Sequence, residues 1–366
     1  MFERIVESVH GFRKGVVKTK HGIVETPTLW LTVGFRGTDL KIAKNLLMRF
    51  RVPCVFTTAY EIYMVGKQTE VSQKGIHDFL GFKGPIMMDS GGFMFRDIES
   101  VPISQEEILN FQINCGADIS VVLDHALNIN GSLLENRKRI QFTISNTRKV
   151  AKYIDQTVIV PIIYLWDLRV IEKMINCYEK IYHFPMYGIA NFRPFPLKLE
   201  RWKRMLNMIA IIRRRLKDRI LHCFGVGGTL TMYMLTYLGV DSMDSSSWCK
   251  KAGFGKIQLP TEGEAFVSKM RPFRKKCRYI NWETYYCKCP ICNGRNVDDL
   301  KIKLESSKML RALHNAYLYL DEMAAIRNAI EEGCFDRQIS ERYNGNFLFK
   351  KLLEHLKKIR KRKLQL

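Results

Sequence analysis

Residues 85–93 read PIMMDSGGF, and the fold turns on what kind of element that is. An apolar run rises to Asp89, and Ser90, Gly91, Gly92 and Phe93 follow it. A short apolar run closed by glycines reads as a buried strand entering a tight turn. Glycine behind a carboxylate supplies a positive φ or lets something flat approach the backbone. Similar runs recur: TPTLWL from residue 26, CVFTTAY from 54, ISVVLDH from 119, VIVPIIY from 158, MYGIA from 186, LHCFGVG from 221 and SMDSSSW from 242. Between them lie longer segments with helical spacing, among them DLKIAKNLLMRF, SQEEILNFQINCG and LKLERWKRMLNMIAIIRRRL. Strands alternating with helices imply a parallel sheet with crossover helices. Eight such runs close a (β/α)8 TIM barrel, with an open doubly wound sheet as the runner-up.

In a barrel, catalytic groups sit at the C-terminal ends of strands. Asp89 ends the third run, Asp124 the fourth and Asp244 the eighth. Each alone is as readily a cap or turn residue. Three carboxylates on one mouth form a candidate site. The pattern breaks after Trp248. Residues 1–248 then hold the main part of the barrel, residues 249–300 a Gly-, Lys-, Arg- and Cys-rich insertion, and residues 301–366 closing helices and a basic tail.

The 366 residues are 46% hydrophobic, enough for a large core, and carry a formal charge of +23. That charge points to a polyanion, because Lys and Arg on phosphates supply most non-specific nucleic-acid affinity. A solubility field or an acidic protein partner is the bland alternative. The opening MFERIVESVHGFRKG lacks the apolar core of a secretory signal, and VIVPIIYLW is about half of a membrane span. The ten cysteines lie mostly scattered through apolar segments, as in a reduced, cytoplasmic protein, and no membrane partner is expected.

Three of those cysteines are not scattered. CKCPICNG places Cys287, Cys289 and Cys292 in CxCxxC spacing, which reads as structural zinc. The fourth ligand is His314 in LRALHNAYLYL, or alternatively Cys277. No adjacent open position or general base accompanies the cluster, so a catalytic role for that zinc is not expected.

Taken together, these motifs resemble the tRNA-guanine transglycosylases and their DNA-modifying relatives over most of the chain. GIHDFLGFKGPIMMDSGGF, GADISVVLD, GVDSMDSSSW and CKCPIC followed by ALHN match that family's motifs in order. The resemblance implies a barrel enzyme that exchanges guanine for a 7-deazaguanine through a covalent sugar–enzyme intermediate. It implies that Asp244 is the nucleophile and Asp89 the general acid/base. Phe93 is then the aromatic under the base, Asp124 the carboxylate reading its amidine edge, and His314 the fourth zinc ligand. Ser90, Gly91 and Gly92 belong to the same base-binding segment, the glycines leaving room for a flat heterocycle. A nucleophile paired with an acid/base suits glycosidic displacement with retention.

Other positions depart from the tRNA enzymes. Tyr164 stands where a base-reading glutamine is usual, and Ala190 and Asn191 stand where two glycines are. SSSWCK replaces a Pro-Thr-Arg run, TTAYEI replaces Asn-Thr-Tyr-His, and no appended RNA-binding module of the archaeal kind is evident. These departures point to the DNA-modifying branch of bacteria and phages, which places 7-cyano-7-deazaguanine or a derivative in DNA, with tRNA as the alternative substrate. Accessory proteins and a homodimer are further expectations. The basic runs IIRRRLKDR, RPFRKKCR and KKIRKRK are candidate phosphate contacts. Three rival readings remain. A glycoside hydrolase shares the paired carboxylates but lacks the knuckle. A non-catalytic accessory subunit needs no intact pair of carboxylates, and an inactive zinc-dependent nucleic-acid-binding protein leaves them unexplained.

Overall fold

A computed structural model describes residues 3–98, 101–128, 130–192, 198–260, 263–268 and 277–363. All eight runs are strands of one parallel sheet, in chain order Thr28–Thr32, Val55–Thr58, Ile86–Asp89, Ile119–Val121, Val158–Val160 with Ile162–Tyr164, Met186–Ala190, Ile220–Cys223 and Ser242–Ser245. The eighth strand pairs with the first, Ser242 opposite Thr28 and Ser245 opposite Leu31. The fifth strand is broken at Pro161, which has no N–H to give to a ladder. Its first half pairs with the fourth strand and its second half with the sixth, while the Gly188 N–H donates to the Pro161 carbonyl at 2.9 Å. The two ends of the sheet are therefore halves of one strand, and the ring is closed. The runner-up, an open doubly wound sheet, does not form.

Helices cover the ring because local signals start them where the crossovers need them. Ser104, Ser132 and Asp167 each accept a hydrogen bond from the backbone N–H three residues on, capping Gln105–Asn114, Leu133–Val150 and Leu168–Ile181. The last covering helix, Lys308–Glu331, arrives late in sequence and packs beside the first strand, where Arg327 donates to the Pro27 carbonyl at 3.1 Å.

Two elements do not follow from the alternating pattern. Glu3–Val9, Phe12–Thr19 and Gly22–Thr26 form an antiparallel sheet under the N-terminal end of the barrel. Arg13 ties it there by donating to Asp241 Oδ1 (2.7 Å) and to the Lys217 carbonyl (2.9 Å). The hairpin Lys256–Leu259 and Gly263–Phe266 lies within the Cys-rich segment.

Among the charge runs, Arg213 of IIRRRLKDR is buried against Asp241 at 2.9 Å, so that position is structural and not a phosphate contact. Arg360 of the last run lies over the Phe12 ring at 3.8 Å. Residues 271–276 of RPFRKKCR lie outside the described residues. No helix among the described residues is long and apolar enough to cross a membrane.

Candidate active site and metal centre

A cavity of about 1050 Å³ opens at the C-terminal ends of the strands, and Asp89, Asp124 and Asp244 all line it. Asp89 is the last residue of its strand and lies beside Thr58 of the second strand. The Gly91 N–H donates to Asp89 Oδ2 at 3.0 Å. Burial, helped by the neighbouring Asp124 charge, pushes the Asp89 carboxyl up to about 8, against the pull of the Gly91 hydrogen bond. Burial and the Asp124 charge thus favour the protonated form of Asp89. Burial also lifts Asp124, to about 6, while the Tyr164 hydroxyl donates to its Oδ2 at 2.9 Å and acts the other way. Thr143 Oγ1 lies 3.1 Å from the same hydroxyl, which fixes it in place.

Asp244 has different surroundings. Its Oδ2 accepts from the Thr32 hydroxyl at 3.1 Å and its Oδ1 from the Gly225 N–H at 2.8 Å. Behind it runs a buried chain of donors. Trp30 Nε1 donates to Ser242 Oγ at 2.8 Å, and that hydroxyl lies 2.8 Å from His222 Nδ1. The Ser242 hydroxyl can donate to Nδ1 while it accepts from the indole, which suits an imidazole whose proton is on Nε2, toward a carboxylate acceptor. Nε2 faces Asp244 Oδ1 at 3.4 Å. Sequence reasoning missed His222. Its signal is its spacing: His222 and Phe224 alternate on a barrel strand, which turns both to the same side, and their rings meet at 4.5 Å.

Of the two reasons the sequence offers for glycines behind Asp89, the positive φ holds at Gly91. Gly91 has φ +101°, and a Cβ on it would come within 2.6 Å of Tyr60 Cβ. A Cβ on Gly92 would overlap Asp124. The space a side chain would need there is filled by the protein itself. Ser90 is buried and donates to the Val122 carbonyl at 3.2 Å. Ser90, Gly91 and Gly92 thus shape the turn that presents Phe93, and they stand behind the cavity lining instead of in it. Phe93 is 59% exposed, lines the cavity and is backed by Arg96 at 4.8 Å from its ring centre.

Tyr164, Ala190 and Asn191 also line the cavity. Asn191 has φ +67°, a left-handed conformation that asparagine tolerates better than most residues. The strand end therefore keeps a backbone shape that glycine would take. Leu348 and Phe349, at the start of helix Phe347–Lys363, line the cavity as well. Sequence spacing gave no sign of them, because they lie over 100 positions after the eighth strand.

Cys287, Cys289, Cys292 and His314 are all buried, with their ligand atoms within 4.8 Å of one another. His314 Nε2 lies 2.7 Å from the Gln258 carbonyl, so that nitrogen donates and Nδ1 keeps its lone pair. Nδ1 is the atom facing the Cys289 and Cys292 sulfurs, at 3.2 and 3.3 Å. Three thiols and one imidazole, closed off from solvent, fit structural zinc. Cys277, half-buried, is not part of the cluster. The metal's work is to tie the knuckle to helix Lys308–Glu331. Next to it, Asn315 Oδ1 accepts from the Gln258 N–H at 2.6 Å and its Nδ2 donates to the Trp248 carbonyl at 3.0 Å, which joins the hairpin to the last strand's exit.

A family model described as queuine tRNA-ribosyltransferase matches residues 9–347. The tRNA-guanine(15) transglycosylase of Methanosarcina acetivorans is 27% identical over 359 residues, covering 97% of this chain and 69% of that protein. Its namesake from Aeropyrum pernix is 27% identical over 329 residues, covering 88% of this chain and 60% of that protein. The one from Pyrococcus furiosus is 26% identical over 352 residues, covering 94% and 57%. These names overturn the expectation of a DNA substrate, since family and relatives alike are named for tRNA. The accessory proteins expected with DNA have no support in them either. Two of the departures misled for a physical reason. Tyr164 and Asn191 belong to the inner wall of the cavity, where one serves Asp124 and the other keeps a glycine-like backbone. Neither position speaks to the sugar of the polynucleotide outside.

Proposed function

The chain belongs to the queuine tRNA-ribosyltransferase family and is a guanine transglycosylase, and from that premise we propose that it exchanges a guanine of tRNA for a free 7-deazaguanine. One observation carries the reading. Asp89 and Asp244 line the same cavity, one pushed toward its protonated form by burial and the other held by groups that donate to a carboxylate.

The target guanine leaves its stack and enters the cavity over Phe93, at a cost of a few kcal/mol that cationic contacts offset. Asp244 attacks C1′. The C1′–O bond forms as the C1′–N9 bond breaks, and Asp89 gives its proton to the departing purine. The Thr32 hydroxyl, the Gly225 N–H and His222 Nε2–H aim the nucleophile and hold its charge until it is shared with the sugar. The incoming 7-deazaguanine then loses its N9 proton to Asp89 and displaces Asp244, restoring both groups. Two inversions give net retention. Asp124, positioned by Tyr164, accepts from the amidine edge of either base, with Ala190 and Asn191 completing the pocket. Lys250 and Arg278, exposed side chains on the cavity lining, are suited to flanking phosphates.

The test is incubation with tRNA and 7-cyano-7-deazaguanine, followed by digestion and mass spectrometry of the nucleosides. The relatives' name makes guanine 15 the first position to map. A deazaguanine ribonucleoside that disappears with Asp244→Ala is the expected result. No incorporation into any tRNA, together with no exchange of labelled guanine, would sink the reading.

A further inference from the structure

One other group of metal-ligating side chains occurs among the described residues, at the opposite end of the barrel from the cavity. His21 sits in the turn between strands Phe12–Thr19 and Gly22–Thr26, His77 on the short helix Ile76–Leu80, and Asp118 just ahead of the fourth strand. Their ligand atoms lie within 4.8 Å of one another. We propose that His21, His77 and Asp118 bind a second metal, a divalent first-row transition cation, which pins the N-terminal sheet to the floor of the barrel.

The simplest alternative is that Asp118 is only a staple. Its Oδ1 accepts from the His21 backbone N–H at 3.1 Å and lies 2.9 Å from His21 Nδ1, and its Oδ2 accepts from the Ile86 N–H at 2.9 Å. That account leaves His77 unexplained. Neither of its buried ring nitrogens makes a hydrogen bond, Nε2 meeting Asp118 Oδ2 only at 3.4 Å, and its ring centre lies 3.6 Å from that of His21 at 74°. A polar ring is rarely buried beside another with neither nitrogen satisfied. A shared cation satisfies one of the two His77 nitrogens, because each imidazole then gives one lone pair to a common acceptor.

Two separations agree, one to each oxygen of Asp118. Donors roughly 2.0–2.1 Å from a metal, at angles near 90–110°, stand roughly 2.8–3.4 Å apart. His21 Nδ1 is 2.9 Å from Asp118 Oδ1, and His77 Nε2 is 3.4 Å from Asp118 Oδ2. Two imidazoles and one carboxylate suit zinc, nickel, cobalt or iron(II) better than calcium or magnesium, whose ligands are oxygens. The His21 side chain is 28% exposed, which leaves a path in from solvent and room for water as the remaining ligand. The site differs from the thiolate knuckle in lacking sulfur, and the two are therefore spectroscopically separable.

Equilibrium dialysis of the full chain against buffered zinc, then elemental analysis, tests the idea. Wild type is expected to hold one equivalent beyond that of the knuckle, and His77→Leu and His21→Asn are each expected to lose it. His21 lies on a half-exposed turn, so its variant keeps the test sound where His77→Leu fails to fold. Cobalt added to protein that carries a single equivalent of zinc, in the knuckle alone, is expected to give visible d–d bands without thiolate charge transfer. A wild type holding only the knuckle's equivalent, or either variant retaining the second, would overturn the proposal.

Discussion

The fourth and eighth strands each carry an aspartate at both ends, and the two ends have opposite characters. At the N-terminal end, Asp241 is 1% exposed and meets Arg13 at 2.7 Å and Arg213 at 2.9 Å, while also accepting from the Leu221 N–H. Asp118 meets His21 and two backbone N–H groups. At the C-terminal end, Asp124 and Asp244 are each 5% exposed, almost as buried, yet no Lys or Arg among the described residues pairs with them. Burial is common to both ends, and a permanent countercharge is found only at Asp241, since Asp118 and Asp244 each face histidine. A buried carboxylate that is paired fastens elements together. One that meets only neutral groups at the mouth of the cavity is available for a reaction.

Substitutions at the two ends should therefore fail in different assays. Asp244→Asn removes the nucleophile, and kcat for guanine exchange should fall by about 10⁴-fold or more, with tRNA retention on filters unchanged. Asp89→Asn should lower kcat by roughly 10²–10⁴-fold. In wild type, kcat/KM should drop as pH rises through about 8, where Asp89 loses the proton it delivers, and the variant should lack that limb. The sign for stability is the reverse of a salt-bridged aspartate. The folded-state pKa is raised, so the group's contribution is greatest at low pH and is lost as pH climbs toward about 8. Asp89→Asn should accordingly melt above wild type at pH 9 and close to it at pH 4.

Asp241→Asn should do the opposite, leaving Arg213 buried with half a partner. Urea unfolding should show a loss of about 3–5 kcal/mol, while kcat for the remaining folded protein stays within twofold or so of wild type. A large kcat effect there would break the division between the ends. The smallest effect belongs to Tyr164→Phe. Loss of one hydrogen bond to Asp124 should raise KM for the free base by about tenfold, with KM for tRNA unaltered. An equal rise in both would place Tyr164 in tRNA binding instead.

Much of this was legible in the sequence. Each barrel strand is a compact apolar run followed by helical spacing, and the strand-end position of Asp89, Asp124 and Asp244 follows once the count reaches a barrel. The knuckle was equally plain, because CxCxxC is local. What stayed hidden depends on contacts between distant positions. Nothing near Gly92 says that Asp124 will occupy its missing side chain. His222 becomes the neighbour of Asp244 only through parallel pairing of the seventh and eighth strands. The antiparallel sheet at residues 3–26 escaped because its strands, on the barrel's outside floor, are half polar, and no helix follows them. The substrate class was misread because changes inside a base pocket look like changes of polymer when only the letters are visible.

The late arrival of helix Lys308–Glu331 carries a consequence for synthesis. The first barrel strand emerges about 300 residues before the helix that covers it is complete. At roughly 5–20 residues per second, that is an interval of roughly 15–60 s during which the ring has an uncovered flank. The same helix brings His314 to the knuckle, so the last cover and the last zinc ligand leave the ribosome together. A cell short of zinc would then accumulate nascent barrels that are almost finished, sticky along one side and waiting for an ion to close them.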